Sequence, residues 1–302
     1  MLTTIPFEMF MSLENGSLSE AKENFNFNKF KKLPVQKMKG YLENDCNIPV
    51  AGVGSSREVY LMSKNDASFL KGPACLKLAR VGGNMGVGAG IGQNKEEASI
   101  LGKYQDNYEC FPLLYYRDGN NYFIVVELGT PLSSAPRGFV STQLSPLKET
   151  IEEFIEDNDY PSTSIKFKFS KLMNNVQDKT NFATLLTLFT TFMTDSRFYH
   201  SRNYNKAELE WFNEFVFAVK DASGDDAVIK SLYDTINFAS RKVARSIMFE
   251  DFIQPENWAF VNRFGEFSLI PIDWGFTKNV AKNYYGYYSK NSSSDFDSDE
   301  DW

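Results

Sequence analysis

Residues 251–276 read DFIQPENWAFVNRFGEFSLIPIDWGF. Two short runs, NWAFV and FSLIPID, have the β-branched and aromatic content of strands. Asn262-Arg263-Phe264-Gly265 between them has turn composition, so the segment predicts a hairpin. The second run ends in Asp273, and Gly275 two residues later permits a sharp bend. An acid at the end of an apolar strand is expensive to bury without a cation. Asp273 with Asn257, just ahead of the first strand, would give two oxygen ligands of the kind magnesium prefers.

Working back towards the N-terminus, residues 145–250 follow a helical period. Leu147, Ile151, Phe154 and Ile155 form one stripe, and Phe182, Leu185, Leu186, Phe189 and Met193 a second. Leu209, Phe212, Val216 and Val219 form a third. A fourth helix carries Ile229, Leu232, Tyr233, Ile236, Val243 and Ile247. From about Val50 to Leu128 the signals are strands instead, in VYLM, ACLKLA, FPLLYY and NYFIVVEL, the last two joined by a turn at Arg117-Asp118-Gly119-Asn120. One helix, 94–104, interrupts them. The glycine-rich stretch before it, Gly82 to Gly92, lacks the Gly-Lys-Ser/Thr ending of a P-loop and reads as a flexible loop.

Within the strand region four features carry chemistry. Gly52 and Gly54 sit at the mouth of a strand continuing through Val59 and Tyr60; such a pair lets backbone N–H groups approach phosphates, and is also an ordinary turn. Lys77 stands in an otherwise apolar strand, where its ammonium either meets an anion or points to water from a sheet edge. Glu97, with Ile100 and Leu101 three and four residues on, lies beside the core-facing side of its helix, within reach of the sheet; a solvated helix acid is the plainer reading. Glu127-Leu128-Gly129, at a strand exit, suits a connector.

Composition sets bounds on function. The chain has 302 residues, 42% hydrophobic and 24% charged, as expected of a folded soluble chain with ample core. A net charge of −7 and the absence of a basic run argue against nucleic-acid binding by phosphate neutralisation. Three scattered cysteines and one histidine exclude a structural zinc fold and a disulfide scaffold, and fit a reducing, cytoplasmic compartment. The first residues lack a positive n-region and carry Glu8 and Glu14, so no signal peptide is expected. Phe182 to Met193 is broken by threonines and too short for a membrane span. His200 reads as a surface or helix-end residue. The end, KNSSSDFDSDEDW, is low-complexity and acidic and predicts a disordered tail. Its Ser292, Ser293, Ser294 and Ser298 read as part of a solvated tail, with a phosphorylation site, an autoinhibitory segment or a partner tag as alternatives, and Trp302 hints that the end docks.

Glycine pair, strand lysine, helix glutamate, strand-to-glutamate connector, D…PEN, hairpin and D-W-G occur in the order and spacing of the protein-kinase signature set, and the chain resembles a divergent member of the protein-kinase-like superfamily over about residues 50–130 and 228–278. The resemblance implies an α+β, bilobal fold: an N-terminal extension (1–45), a small antiparallel N-lobe with one helix (46–128), a mostly helical, truncated or rearranged C-lobe with the catalytic hairpin (129–285) and an acidic tail (286–302). It implies ATP and Mg²⁺ as cofactors. Gly52 and Gly54 would cover the phosphates, and Lys77 would hold them while pairing with Glu97. Glu127 and Leu128 would present adenine-binding backbone, Asn257 and Asp273 would hold the metal, and Asp251 would align the acceptor hydroxyl.

Three departures stand out. The family's base aspartate lies five residues before the asparagine, where this chain has Phe252; Asp251 lies six before, which requires a one-residue bulge, and Glu250 is the alternative. The family's H-R is Phe249-Glu250 and its loop lysine is Gln254. D-W-G replaces D-F-G, and only 29 residues follow Asp273, without an activation segment or A-P-E, while about 120 precede Asp251 from Glu127. Such truncation is similar to that of short phage-encoded kinase-like proteins and of aminoglycoside-kinase-type phosphotransferases. The implied function is a protein Ser/Thr kinase, acting on host proteins if the gene is viral, in host cytoplasm or virion. The alternatives are a pseudokinase serving as a binding or virion module, and a small-molecule kinase.

Overall fold

The computed structural model describes residues 25–82, 85–107, 109–174, 182, 184–187, 205–263 and 265–286. Phe189, Met193, His200 and the serines and aspartates of the acidic tail lie outside them. The described chain is α+β, built around a small antiparallel sheet with helices before, within and after it.

The sheet comprises β1 (Val50–Val53), β2 (Arg57–Met62), β3 (Ala74–Ala79), β4 (Leu114–Arg117) and β5 (Phe123–Glu127), in the order β1-β2-β3-β5-β4. Each neighbouring pair is antiparallel. The strands read as unbroken apolar runs because both faces are covered. On one face, Tyr60, Met62, Leu76, Leu78, Phe123 and Val125 meet Phe30, Met38, Tyr41 and Leu42 from the short helices α1 (Phe27–Phe30) and α2 (Val35–Gly40) and the π turn that follows. On the other, Leu61, Cys75, Ile124 and Val126 join a second core that continues into the helices.

Two sequence expectations are corrected here. The strand at Gly52 does not run on through Val59 and Tyr60. It turns back at Gly54-Ser55-Ser56, where the Gly54 N–H donates to the Arg57 carbonyl at 2.8 Å, and β1 and β2 form a hairpin. The stretch from Gly82 to Gly92 is not a loop throughout: α3 spans Gly86–Lys103 and includes its last four glycines. Contact explains why glycine is tolerated there. A Cβ on Gly90 would lie 2.3 Å from the Ser56 carbonyl oxygen and 2.8 Å from Ala79 Cα, so this turn of helix lies directly against the β1–β2 hairpin and β3.

After β6 (Thr130–Pro131) come α4 (Arg137–Asp157), α5 (Thr163–Asn174), α6 (Lys206–Ala222) and α7 (Ala227–Phe238), the last continued by a π turn over Ala239–Val243. Leu147, Ile151 and Phe154 of α4 are buried as expected. The α6 stripe is rotated from the expected one: Trp211, Phe212, Phe215 and Val219 are buried while Leu209 and Val216 are half-buried. The aromatic side chains decide this, because Trp211 and Phe215 pack on Phe154 and Phe169. A capping box at Asn205 and Glu208 starts α6, and Asp226 caps α7.

The short helix α8 (Phe249–Phe252) and a 3₁₀ turn at Pro255–Asn257 lead into β7 (Trp258–Arg263) and β8 (Glu266–Pro271), the expected hairpin. With β6 these strands make a second sheet, β6-β7-β8. Helix α9 (Lys278–Tyr284) then returns to α3, where Tyr284 lies over Gly88 and Gly92. Among the described residues no helix is long and apolar enough to cross a membrane.

Candidate functional site

Lys77 is an internal-strand residue, not an edge one: its register partners are Val59 on β2 and Ile124 on β5. Its side chain is buried, so its charge needs a partner. Glu97, the third residue of a buried series Gln93-Asn94-Glu97-Ala98 on α3, supplies it, with Lys77 Nζ 2.6 Å from Glu97 Oε1. Lys77 also donates to the carbonyl of Ile272 at 2.5 Å, which ties the sheet to the residue before Asp273. Asn94 fixes this end of α3 by donating to the carbonyls of Lys77, Asn121 and Tyr122.

Arg57 is the functional residue that the sequence reading missed. It opens β2 and is buried. Its guanidinium bridges two carboxylates, Nη1 to Glu97 Oε2 at 2.5 Å and Nη2 to Asp273 Oδ1 at 2.6 Å. The signal was present: Gly52-Val53-Gly54-Ser55-Ser56-Arg57-Glu58-Val59 keeps the frame G-x-G-x-x-G-x-V with arginine in place of the third glycine.

Asp273 follows β8 and bends back, accepting a 3.0 Å bond from the Gly275 N–H on the same Oδ1. A Cβ on Gly275 would meet the Gln93 carbonyl at 2.9 Å, which explains the glycine. Trp274 between them is buried against Phe111 and Phe252, with ring centroids at 4.5 and 5.4 Å, and donates to the Pro271 carbonyl. Burial works against ionising Asp273, but Arg57 and then Lys77 outweigh it and hold its carboxyl down at about 2. The same carboxylates hold the Arg57 guanidinium charged despite its burial.

On the opposite wall, α8 and the 3₁₀ turn absorb the six-residue separation of Asp251 and Asn257. Asn257 Nδ2 donates to the Asp251 carbonyl at 2.8 Å. Phe252 points into the core against Trp258 and Trp274, and Glu250 is exposed and does not line the cavity. Asp251 does line it; burial, followed by the nearby charge of Asp273, pushes its carboxyl up to about 7.

These residues surround one cavity of about 460 Å³ between the five-stranded sheet and the β7–β8 hairpin. Gly52, Gly54, Arg57, Lys77, Glu127, Leu128, Asp251, Asn257 and Asp273 all line it, and Glu97 stands behind Lys77 and Arg57. At the far end, the Leu128 N–H is engaged by the Pro73 carbonyl at 3.1 Å, and the Glu127 side chain is held by Arg263. Among the described residues no group of three or more His, Cys, Asp or Glu side chains is placed to hold a metal alone. The oxygens of Asp273 and Asn257 do fit a hard divalent cation, because the Asn257 amide is turned with Nδ2 to Asp251, which leaves Oδ1 as the ligating atom. The chain matches no protein-family model, and no curated protein matches it.

Proposed function

We propose that this chain is an ATP- and Mg²⁺-dependent phosphotransferase with a bilobal, protein-kinase-like fold, acting on serine or threonine of a protein. In that fold residues 46–128 are the small lobe, 129–285 the larger one, and the cavity between them is the nucleotide cleft. One observation carries the reading. Lys77, from the middle of the sheet, is held by Glu97 in the same cavity as Asp273 and Asn257, residues separated by up to 196 positions in sequence. Buried charges at such separation are costly to assemble and keep unless a ligand uses them.

Each residue then has a task. Lys77 neutralises phosphate oxygens, with Glu97 fixing its position. Gly54 and the turn after it let backbone approach the phosphates. Asn257 and Asp273 would hold Mg²⁺, which when bound supplies neutralisation of charge on the transferring phosphoryl group. Asp251 accepts the hydroxyl proton of the acceptor, and a carboxyl titrating near 7 suits that role at physiological pH. Catalysis of this kind is positioning and charge neutralisation rather than covalent chemistry.

The test is thermal stability with ATP and MgCl₂. At a hundred times the dissociation constant, ligand should add about 2–3 kcal/mol of stability, and the gain should vanish in Asp273→Asn. No gain at millimolar nucleotide sinks the reading. A second reading, a pseudokinase that serves as a binding module, is favoured by Arg57, which occupies both Glu97 and Asp273. Turnover separates the two. In an enzyme, Asp251→Asn keeps nucleotide affinity and loses about 100-fold or more in kcat; a pseudokinase turns over in neither wild type nor variant, whether or not it binds nucleotide.

A further inference from the structure

We infer that Arg57 is a phosphate-binding residue, and that it leaves Asp273 for the nucleotide when metal and nucleotide bind together. The inference rests on the phosphotransferase reading above. Charge accounting at the cavity carries it. Arg57 and Lys77 are two buried cations, and Glu97 and Asp273 two carboxylates that answer them, so the cluster is neutral as it stands.

Adding a divalent cation alone at Asp273 places two further positive charges against the Arg57 guanidinium, which already lies 2.6 Å from that carboxylate. Adding a polyphosphate alone sets several negative charges against Asp273. Either step is penalised in a partly desolvated cavity, where charges interact more strongly than in water. Added together, the charges compensate. The metal takes over the carboxylate of Asp273, and the released Nη2 edge of Arg57 turns to phosphate oxygens while Nη1 stays on Glu97. A guanidinium suits this exchange, because its planar fork holds two oxygen partners at once and matches phosphate as well as carboxylate. The position is right: Arg57 closes the Gly54–Ser56 turn through its own carbonyl and lines the cavity beside Gly54 and Lys77.

The experiment compares wild type, Arg57→Gln and Arg57→Lys by calorimetric titration with adenosine, ADP and ATP, each with and without MgCl₂. Wild type should bind ATP at least tenfold more tightly with magnesium than without. Arg57→Gln should weaken Mg·ATP binding at least tenfold and leave adenosine binding unchanged, since adenosine has no phosphate for Arg57 to reach. Arg57→Lys keeps the charge that Glu97 and Asp273 need for folding but lacks the fork; it should show an intermediate loss for Mg·ATP and none for adenosine. This variant decides the question if Arg57→Gln does not fold. Mg·ATP binding undiminished in Arg57→Lys, or tightened in Arg57→Gln, overturns the role of Arg57 alone, because it makes the arginine a strut or a competitor. Equal losses for adenosine and ATP overturn it too, as a structural effect. Absence of any Mg·ATP binding to wild type overturns both this inference and the function on which it rests.

Discussion

Asp251 and Asp273 line one cavity and are pushed in opposite directions, one up to about 7 by burial and its neighbour's charge, the other down to about 2 by Arg57 and Lys77 against burial. The signs give a pH prediction. Asp251 binds its proton more tightly in the folded chain than in the unfolded one, where an aspartate titrates near about 4. Its contribution to stability therefore falls as pH rises from about 4 to about 7 and is flat above. Asp273 contributes in the opposite sense, with stability present above about 4 and lost as pH falls towards about 2. Urea midpoints across pH 4 to 8 should show the decline in wild type and not in Asp251→Asn, and above pH 7 the variant should be the more stable protein. Turnover should rise through about pH 7 as Asp251 ionises. A flat rate profile across that range removes Asp251 as the base. Neither shift is legible in the sequence, since Asp251 and Asp273 are 22 residues apart and Arg57 lies 216 from Asp273.

At the scale of elements, helix α3 shows where pattern reading succeeds and where it fails. Its second half, with Glu97, Ile100 and Leu101 at helical spacing, is legible, and the structure buries all three. Its first half is not, because glycine has poor helix propensity and six glycines in eleven residues, 82–92, suggest a loop. Tertiary contact overrides that preference. Gly90 lies against Ser56 and Ala79, and Gly92 is 2.6 Å, measured from an added Cβ, from the Tyr284 ring. Gly102, in the last turn of the same helix, has nothing within 4 Å. The two positions should respond with opposite sign. Gly102→Ala should stabilise by about 0.5–1 kcal/mol through helix propensity and reduced unfolded-state freedom. Gly90→Ala gains the same propensity but forces backbone apart, and should destabilise by about 1–3 kcal/mol overall. Equal effects in chemical denaturation would show that the helix does not press on the hairpin. The β1–β2 turn that Gly90 supports also carries Ser56, bonded at 2.8 Å to Gln93, so Gly90→Ala should weaken nucleotide binding as well.

At the scale of the molecule, the fold joins two sheets through contacts that a linear reading does not reach. The runs that form β2, β3, β5, β7 and β8 are legible because both their faces or one whole face are apolar, and a run of apolar residues is a local property. What fixes one sheet against the other is not local. Arg263, a turn residue in the sequence, reaches back 136 positions to clamp Glu127 with Nε at 3.0 Å from Oε1 and Nη2 on Oε2, and donates to the Phe111 carbonyl at 2.8 Å. Glu127 also accepts from the Leu113 N–H at 3.1 Å. Both side chains are about nine-tenths buried, so removing one leaves an uncompensated charge. Arg263→Met should therefore cost about 3–5 kcal/mol. Adding Glu127→Gln to that variant should return more than half of the loss, because the neutral amide ends the buried charge and still accepts from Leu113. The pair sits where β5 leaves the first sheet and β7 ends in the second, at the edge of the cavity, so the same variant should loosen the alignment of Lys77 with Asp273. ATP affinity should then fall in Arg263→Met and recover in the double variant in step with stability. A loss of stability below about 1 kcal/mol in Arg263→Met would mean that the pair is solvated, and that the Lys77–Ile272 bond, the Arg57–Asp273 pair and the second core hold the two sheets together.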